Sequence, residues 1–334
     1  HHPPHGTGAR AGRMAIVIAR LTLHAPRLLA SLPKGRDAVR RAVKTALRLR
    51  HFEPVPRLDP RALAAWDGQA RPPAETGGGV TVQLIERLTA PGQTADIAQV
   101  PVFVAHAMGG GAELYLQHRL KNAGHHHYVI LRLGGAERCR IEVVTQEGRI
   151  TAGTDDLDLV VRLVTGLKRR RIVYSCAVGD PDPVTIPGFL RALAGEAPLE
   201  MLFHDYLALS PSFHLLDADG VFRGVPVPVP GRASQAHTAR RPDGTLVTLA
   251  DWRASWHAAL ARADRLIVFS HDSRAHVSAA YPDLAARIEI VPHSPLADLP
   301  RIAPTQTDRL VIGIAGNLNG AKGARVAEAL SHRL

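Results

Sequence analysis

The chain has 334 residues, enough for two domains with cores of their own, and its 46% apolar content is that of a globular protein with few aromatics (4%). Its net charge of +11 suggests a nucleic-acid binder until the charge is located: residues 1–60 hold twelve Lys/Arg against three Asp/Glu, leaving the other residues nearly neutral at +2. Two distant cysteines, Cys139 and Cys176, exclude a disulfide framework and a CxxC metal site; they read as small buried hydrophobes in a reducing compartment.

The chain opens HHPPHG, and Met14 is a candidate initiator. Its first histidines read as no functional metal site. Residues 14–50 read as basic helices. In RDAVRRAVKTALRLR, Val39, Ala42, Val43, Ala46 and Leu47 form one apolar stripe, and arginines and Lys44 fill the rest. Such a helix suits an anionic membrane surface, and equally a solvated helix packed on the body. MAIVIARLTLHAPRLLASL is broken by Arg20, His24 and Arg27, so it is neither a membrane span nor a secretory signal. The Pro- and Gly-rich residues 53–79 read as a linker, and VTVQLIERL (80–88) as partly strand.

From residue 99 apolar strands alternate with helices. QVPVFVAHA, YVILRLGG, RIEVVTQEG, RIVYSCAVG, LEMLFHDY, DRLIVFS and RIEIVPHSP read as strands. AELYLQHRLKNAG, DDLDLVVRLVTGL, IPGFLRALAG, ADWRASWHAALARA and SRAHVSAAYPDL read as helices. This alternation predicts an α/β fold with a doubly wound parallel sheet. PLADLPRIAPTQTDR then reads as an interdomain linker, and LVIGIAG as the first strand of a second α/β domain. The expected division is a basic helical extension and linker over 1–97, a Rossmann-like domain over 98–300, and the start of a second Rossmann-like domain over 301–334.

Four stretches could carry chemistry. HAMGGGAE joins the first strand of the body to its helix. Gly109, Gly110 and Gly111 would let a ligand approach the backbone, and they equally suit a tight turn. The loop is not GxGxxG, and no acidic residue closes the second strand, so a dinucleotide site is not expected. MLFHDYLALSPSFHLLDADGVFRG ends a strand in His204 and Asp205 at the carboxyl edge, where an imidazole could meet a hydroxyl or a proton. FSHDSRAHV ends another strand, and Ser270 or Asp272 caps the helix that follows. GNLNGAKGARV places Lys322 and Gly323 in a glycine-bearing loop before a helix, a natural diphosphate grip but not a Walker A loop. His125, His126 and His127 lack a second ligand cluster at zinc spacing and read as a solvated turn, and no metal site is expected anywhere.

Taken together and in order, these stretches resemble glycosyltransferases of the GT-B fold, in the large group called family 4, and in particular a bacterial branch linked to surface polysaccharide biosynthesis. VFVAHAMGGGAELYL is similar to that family's first strand and glycine loop. HDYLALSPSFHLLDADGVFRG resembles its HD[YF] segment, ADRLIVFSHDSRAHVSAAYP its AD-x-[VI]-[IV]-x-x-S strand and helix, and RIEIVPHSP the strand before its linker. VIGIAGNLNGAKGARVAEAL resembles the opening of its nucleotide-sugar domain. The resemblance covers roughly residues 99–334.

By that likeness Gly109, Gly110 and Gly111 lie near the donor phosphates, His204 and Asp205 near the reacting sugar as catalytic residues, Ser270 at the donor side, and Lys322 with Gly323 on the diphosphate. The implied activity is transfer of a sugar from a nucleotide sugar to a glycan or lipid-linked glycan, with no metal and no cofactor beyond that donor. The implied location is cytoplasmic, and the basic amphipathic pattern of residues 14–50 adds the expectation of peripheral membrane contact. Ser210 and Gly224-Val225 stand where the branch has cysteines. The family's second domain needs about 150 further residues, including a paired-glutamate motif. The chain is therefore expected to be a fragment with little transferase activity of its own. A non-catalytic glycan- or partner-binding protein is the alternative. Nucleic acid is not an expected partner, because the basic arm lacks interleaved aromatics.

Overall fold

The computed structural model describes residues 55–66, 79–89, 99–122, 126–229, 235–293 and 323–332. The basic segment 14–50, the expected strand LVIGIAG and Lys322 fall outside them.

Eight strands form the main sheet: β1 (Val100–His106), β2 (Tyr128–Leu133), β3 (Cys139–Thr145), β4 (Gly148–Thr154), β5 (Arg170–Tyr174), β6 (Leu199–Leu202), β9 (Arg265–Val268) and β10 (Ile288–Ile290). Their order is β10-β9-β6-β5-β1-β2-β3-β4. The six from β10 to β2 run parallel; β2, β3 and β4 pair antiparallel. The fold is mixed α/β and compatible with a Rossmann-like architecture, but the expected all-parallel sheet is corrected at this end. The connections 134–138 and 146–147 are too short for a parallel crossover. A short hairpin, β7 (Ala239–Arg240) and β8 (Leu246–Val247), stands apart in the excursion between β6 and the next helix.

The helices are α1 (Pro60–Trp66), α2 (Val80–Thr89), α3 (Gly111–Asn122), α4 (Leu157–Thr165), α5 (Ile186–Ala194), α6 (Leu249–Arg262), α7 (His271–Ala280) and α8 (Ala324–Ser331). The α4 stripe, Leu157, Val160, Leu163 and Val164, is buried, and Asp156 caps its start by accepting from Asp158 N at 2.8 Å. Thr248 caps α6 in the same way, and Trp252 and Trp256 are its largest buried residues. The main core gathers buried side chains of α1, α2, α4, α5 and α6 against one sheet face. A smaller cluster sets Leu116 and Leu120 of α3 over Phe103, Ala105, Ile130, Val173, Leu202 and Ile267 on the other.

Two readings change at the amino-terminal side. VTVQLIERL is a helix, not part strand: Thr81, Leu84, Ile85 and Leu88 are buried, the i, i+3, i+4, i+7 spacing of a helix face. The described residues between 55 and 89 also belong to the body. Leu58, Leu63, Trp66, Leu84, Ile85 and Leu88 join the main core. Backbone bonds Gly153 N→Pro56 O (2.8 Å) and Leu58 N→Gly153 O (2.9 Å) cover the free edge of β4.

Candidate functional site

Because β1, β5, β6 and β9 are parallel, their carboxyl ends meet along one edge. The sheet order reverses between β1 and β5, the position at which ligands bind in open α/β sheets. The loop after β1 holds the glycine triplet. Gly109 and Gly110 adopt φ of +74° and +92°, so the turn requires them; an added Cβ at any of the three would meet nothing within 4 Å. His106 ends β1, and its Nδ1 accepts from Met108 N at 2.9 Å. Burial lowers its pKa. Glu113 in the first turn of α3 accepts from both Arg132 Nη atoms at 2.6 and 3.0 Å. Burial opposes its ionisation, but the Arg132 and Gln117 bonds prevail and hold it below the usual carboxylate range.

Gly134 after β2 has φ +76°, and a Cβ there would lie 2.6 Å from the Gly179 carbonyl carbon. The β2 and β5 loops therefore touch backbone to backbone. Arg138 locks them, reaching Asp180 at 3.1 Å and the Asp182 carbonyl at 3.2 Å. Arg241 of the excursion pairs with Asp182 at 2.8 Å. This chain of charges ties three loops together on one side of the edge.

His204 follows β6. Its ring stacks on Phe269 (centroids 4.5 Å) and His293 (5.8 Å), while Phe269 and His293 stack at 4.1 Å and Tyr115 meets all three edge-on. Its Nε2 is buried with no hydrogen-bond partner. Burial, with His293 and His106 nearby, pushes its pKa down to about 3, so the ring is neutral at physiological pH. Asp205 turns the other way. Its Oδ1 accepts from Leu207 N at 2.7 Å, and burial raises its pKa against the stabilising contacts of Cys176 and Leu207. Ser270 is exposed and spends its oxygen capping α7, accepting from Ser273 N at 3.1 Å. Gly323 starts α8 at φ +77°.

The structure thus sets the glycine loop, His204 and Ser270 along one edge, while Asp205 serves its own turn. Lys322 lies outside the described residues. Sequence reasoning missed Tyr115, Phe269 and His293. Each stood inside a stretch read for its strand or helix pattern, and no spacing rule announces that three elements bring their rings together. Among the described residues, no group of three His, Cys, Asp or Glu is placed to hold a metal ion. None of their helices is long and apolar enough to cross a membrane. An open depression of about 440 Å³ lies at the opposite, amino edge, between Gln99, Lys168 to Arg170, and Glu196 to Pro198. Arg170 there is committed to the Leu193 and Ala194 carbonyls at 2.8 and 3.0 Å. We place the candidate site at the carboxyl edge, where the strands of a parallel sheet offer their loops. Compared with protein-family models, curated proteins and solved structures, the chain matches none.

Proposed function

We propose that the chain is the acceptor-side part of a GT-B glycosyltransferase, moving a sugar from a nucleotide sugar onto a glycan or lipid-linked glycan. The observation that supports this most is positional. The glycine loop, His204 and Ser270, which the family likeness names from separate stretches, all emerge at the carboxyl edge of one mostly parallel sheet. In the reaction the bond from the sugar carbon to the donor diphosphate breaks. The acceptor hydroxyl oxygen bonds that carbon, and its proton leaves. A nitrogen that protonates only near pH 3 is too weak a base to take this proton at neutral pH. His204 is instead a neutral hydrogen-bonding group that orients a hydroxyl against the ring cluster. By the same likeness Lys322 holds the diphosphate; the basic amphipathic pattern of residues 14–50 suits an anionic cytoplasmic membrane face.

The second reading, a non-catalytic glycan-binding protein, is favoured by one observation. Asp205 and Ser270 are both committed to backbone groups, which leaves His204 with few chemical partners. Release of nucleoside diphosphate by the product of the whole gene, from a panel of nucleotide sugars with glycan and lipid-linked acceptors present, separates the two. Transfer predicts turnover of one donor and a loss of about 100-fold in His204→Gln. Glycan binding with no nucleotide sugar bound or consumed would leave only the second reading.

A further inference from the structure

The turn after His204 ends in three consecutive carbonyls that its own backbone does not use. Leu209 N and Ser210 N both bond back to the Tyr206 carbonyl, closing a single helical turn. The carbonyls of Leu207, Ala208 and Leu209 then face away from the cleft, toward α6 and the end of α7. Each accepts from a different side chain: Trp252 Nε1 to Leu207 O at 2.9 Å, Tyr281 Oη to Ala208 O at 2.5 Å, and Arg253 Nε to Leu209 O at 3.1 Å. Arg253 also donates to Pro226 O at 2.6 Å, tying the far side of the excursion to the same point. Asp205 completes the set by holding Leu207 N. A buried turn with these carbonyls unpaired would cost about 1–3 kcal/mol for each, so the three donors fix one geometry for it.

Buried indoles and phenols usually find acceptors, and that alone could account for such bonds. Trp256 argues otherwise. It lies four residues along the same helix and is as buried as Trp252, yet its Nε1 has no partner. Burial in α6 therefore does not by itself supply an acceptor. The donors that find one converge on the turn carrying His204.

We propose that Trp252, Tyr281 and Arg253 are positioning residues that act through this turn to hold the His204 imidazole in the ring cluster of Tyr115, Phe269 and His293. The inference rests on the reading that His204 belongs to the site, but its test does not need turnover. Tyr281→Phe keeps the ring and deletes one hydroxyl; Arg253→Met keeps the stem and deletes the donors, and serves if the first variant folds poorly. The histidine ring signals of the whole chain are followed by NMR through a pH titration, with His204 assigned from the His204→Gln spectrum. The expected result is a displaced His204 signal whose pKa rises by about one unit or more toward the ordinary value, as water reaches the ring. The signal of His126, exposed just before β2 at the opposite edge, should not be displaced by either variant. A variant that melts earlier while His204 keeps its signal and its titration would overturn the inference and leave these bonds a purely structural role. If His204 moves but the product of the whole gene transfers no sugar, the positioning stands and the transferase reading fails.

Discussion

The two edges of the main sheet are finished in opposite ways. At the amino edge, arginines close what the helices leave open: Arg170 donates to the last carbonyls of α5, Arg262 to Gly195 and Ala197, and Arg287 to Ala261 and Ala263. These cations sit at the negative ends of helix dipoles, where they stabilise most. At the carboxyl edge, polar atoms are buried and left open. His204 Nε2 and Ser175 Oγ, just past β6 and β5, have no partner. Native proteins keep few such groups, because each costs about 1–3 kcal/mol. The amino edge is tied by arginine-to-carbonyl bonds, although Arg171 Nε at the start of β5 is also buried without a partner; at the carboxyl edge such groups stand in loops that could meet a ligand.

The sharpest break in this contrast comes from glycines. Gly134→Ala puts a Cβ 2.6 Å from the Gly179 backbone at a left-handed φ, so the β2 and β5 loops must separate. A loss of about 2–4 kcal/mol is expected in denaturant unfolding. Gly109→Ala meets open space and carries only the conformational cost, about 1–2 kcal/mol. Equal losses for the two would mean that the loops do not touch as described. Next, Arg170→Met should destabilise by about 1–3 kcal/mol, since it strips the α5 carbonyls of their donor, and leave the His204 NMR signal in place.

The pH dependence sharpens the same comparison. His204 stays neutral in the folded protein down to about pH 3, whereas in the unfolded chain it protonates near its ordinary value. Its contribution to stability is therefore intact above about pH 6.5 and is lost as pH falls toward 3, by about 2 kcal/mol at pH 5. Burial lowers the pKa of His106 and of His293 too, so both act in the same direction. His204→Gln should lose less stability than the wild type between pH 7 and pH 5 in chemical denaturation. A wild-type stability that stays flat across that range would contradict the buried, neutral ring. The smallest effect is Ser270→Ala, about 1 kcal/mol from the lost α7 cap.

Much of the body was legible in the sequence because long apolar runs and capped amphipathic stretches carry their own period. LDLVVRLVT and VPVFVAH could hardly be anything else. β4 was missed because GRITAGT carries two glycines and one large apolar residue; it is a strand because it pairs antiparallel with β3 along its whole length, and Gly153 leaves room for Glu137 and Val55 to pack against it. VTVQLIERL misled because valines at 80 and 82 and leucine at 84 alternate like a strand, while the buried positions follow a helix. The position of His204 and the glycine loop at the carboxyl edge was legible, since an apolar run ending in a polar residue marks an edge. The direction in which Asp205 turns depends on its contacts with Leu207 N and Cys176, and the ring cluster on elements distant in the chain. Neither is written in local spacing.

The account stands most directly on a paired assay on the product of the whole gene: nucleotide-sugar turnover by its His204→Gln and Arg170→Met variants, measured beside the wild type under conditions where all three are folded. A functional carboxyl edge and a structural amino edge predict about a 100-fold loss for His204→Gln and less than about a twofold change for Arg170→Met. Turnover undiminished in His204→Gln, or lost equally in both variants, would contradict it.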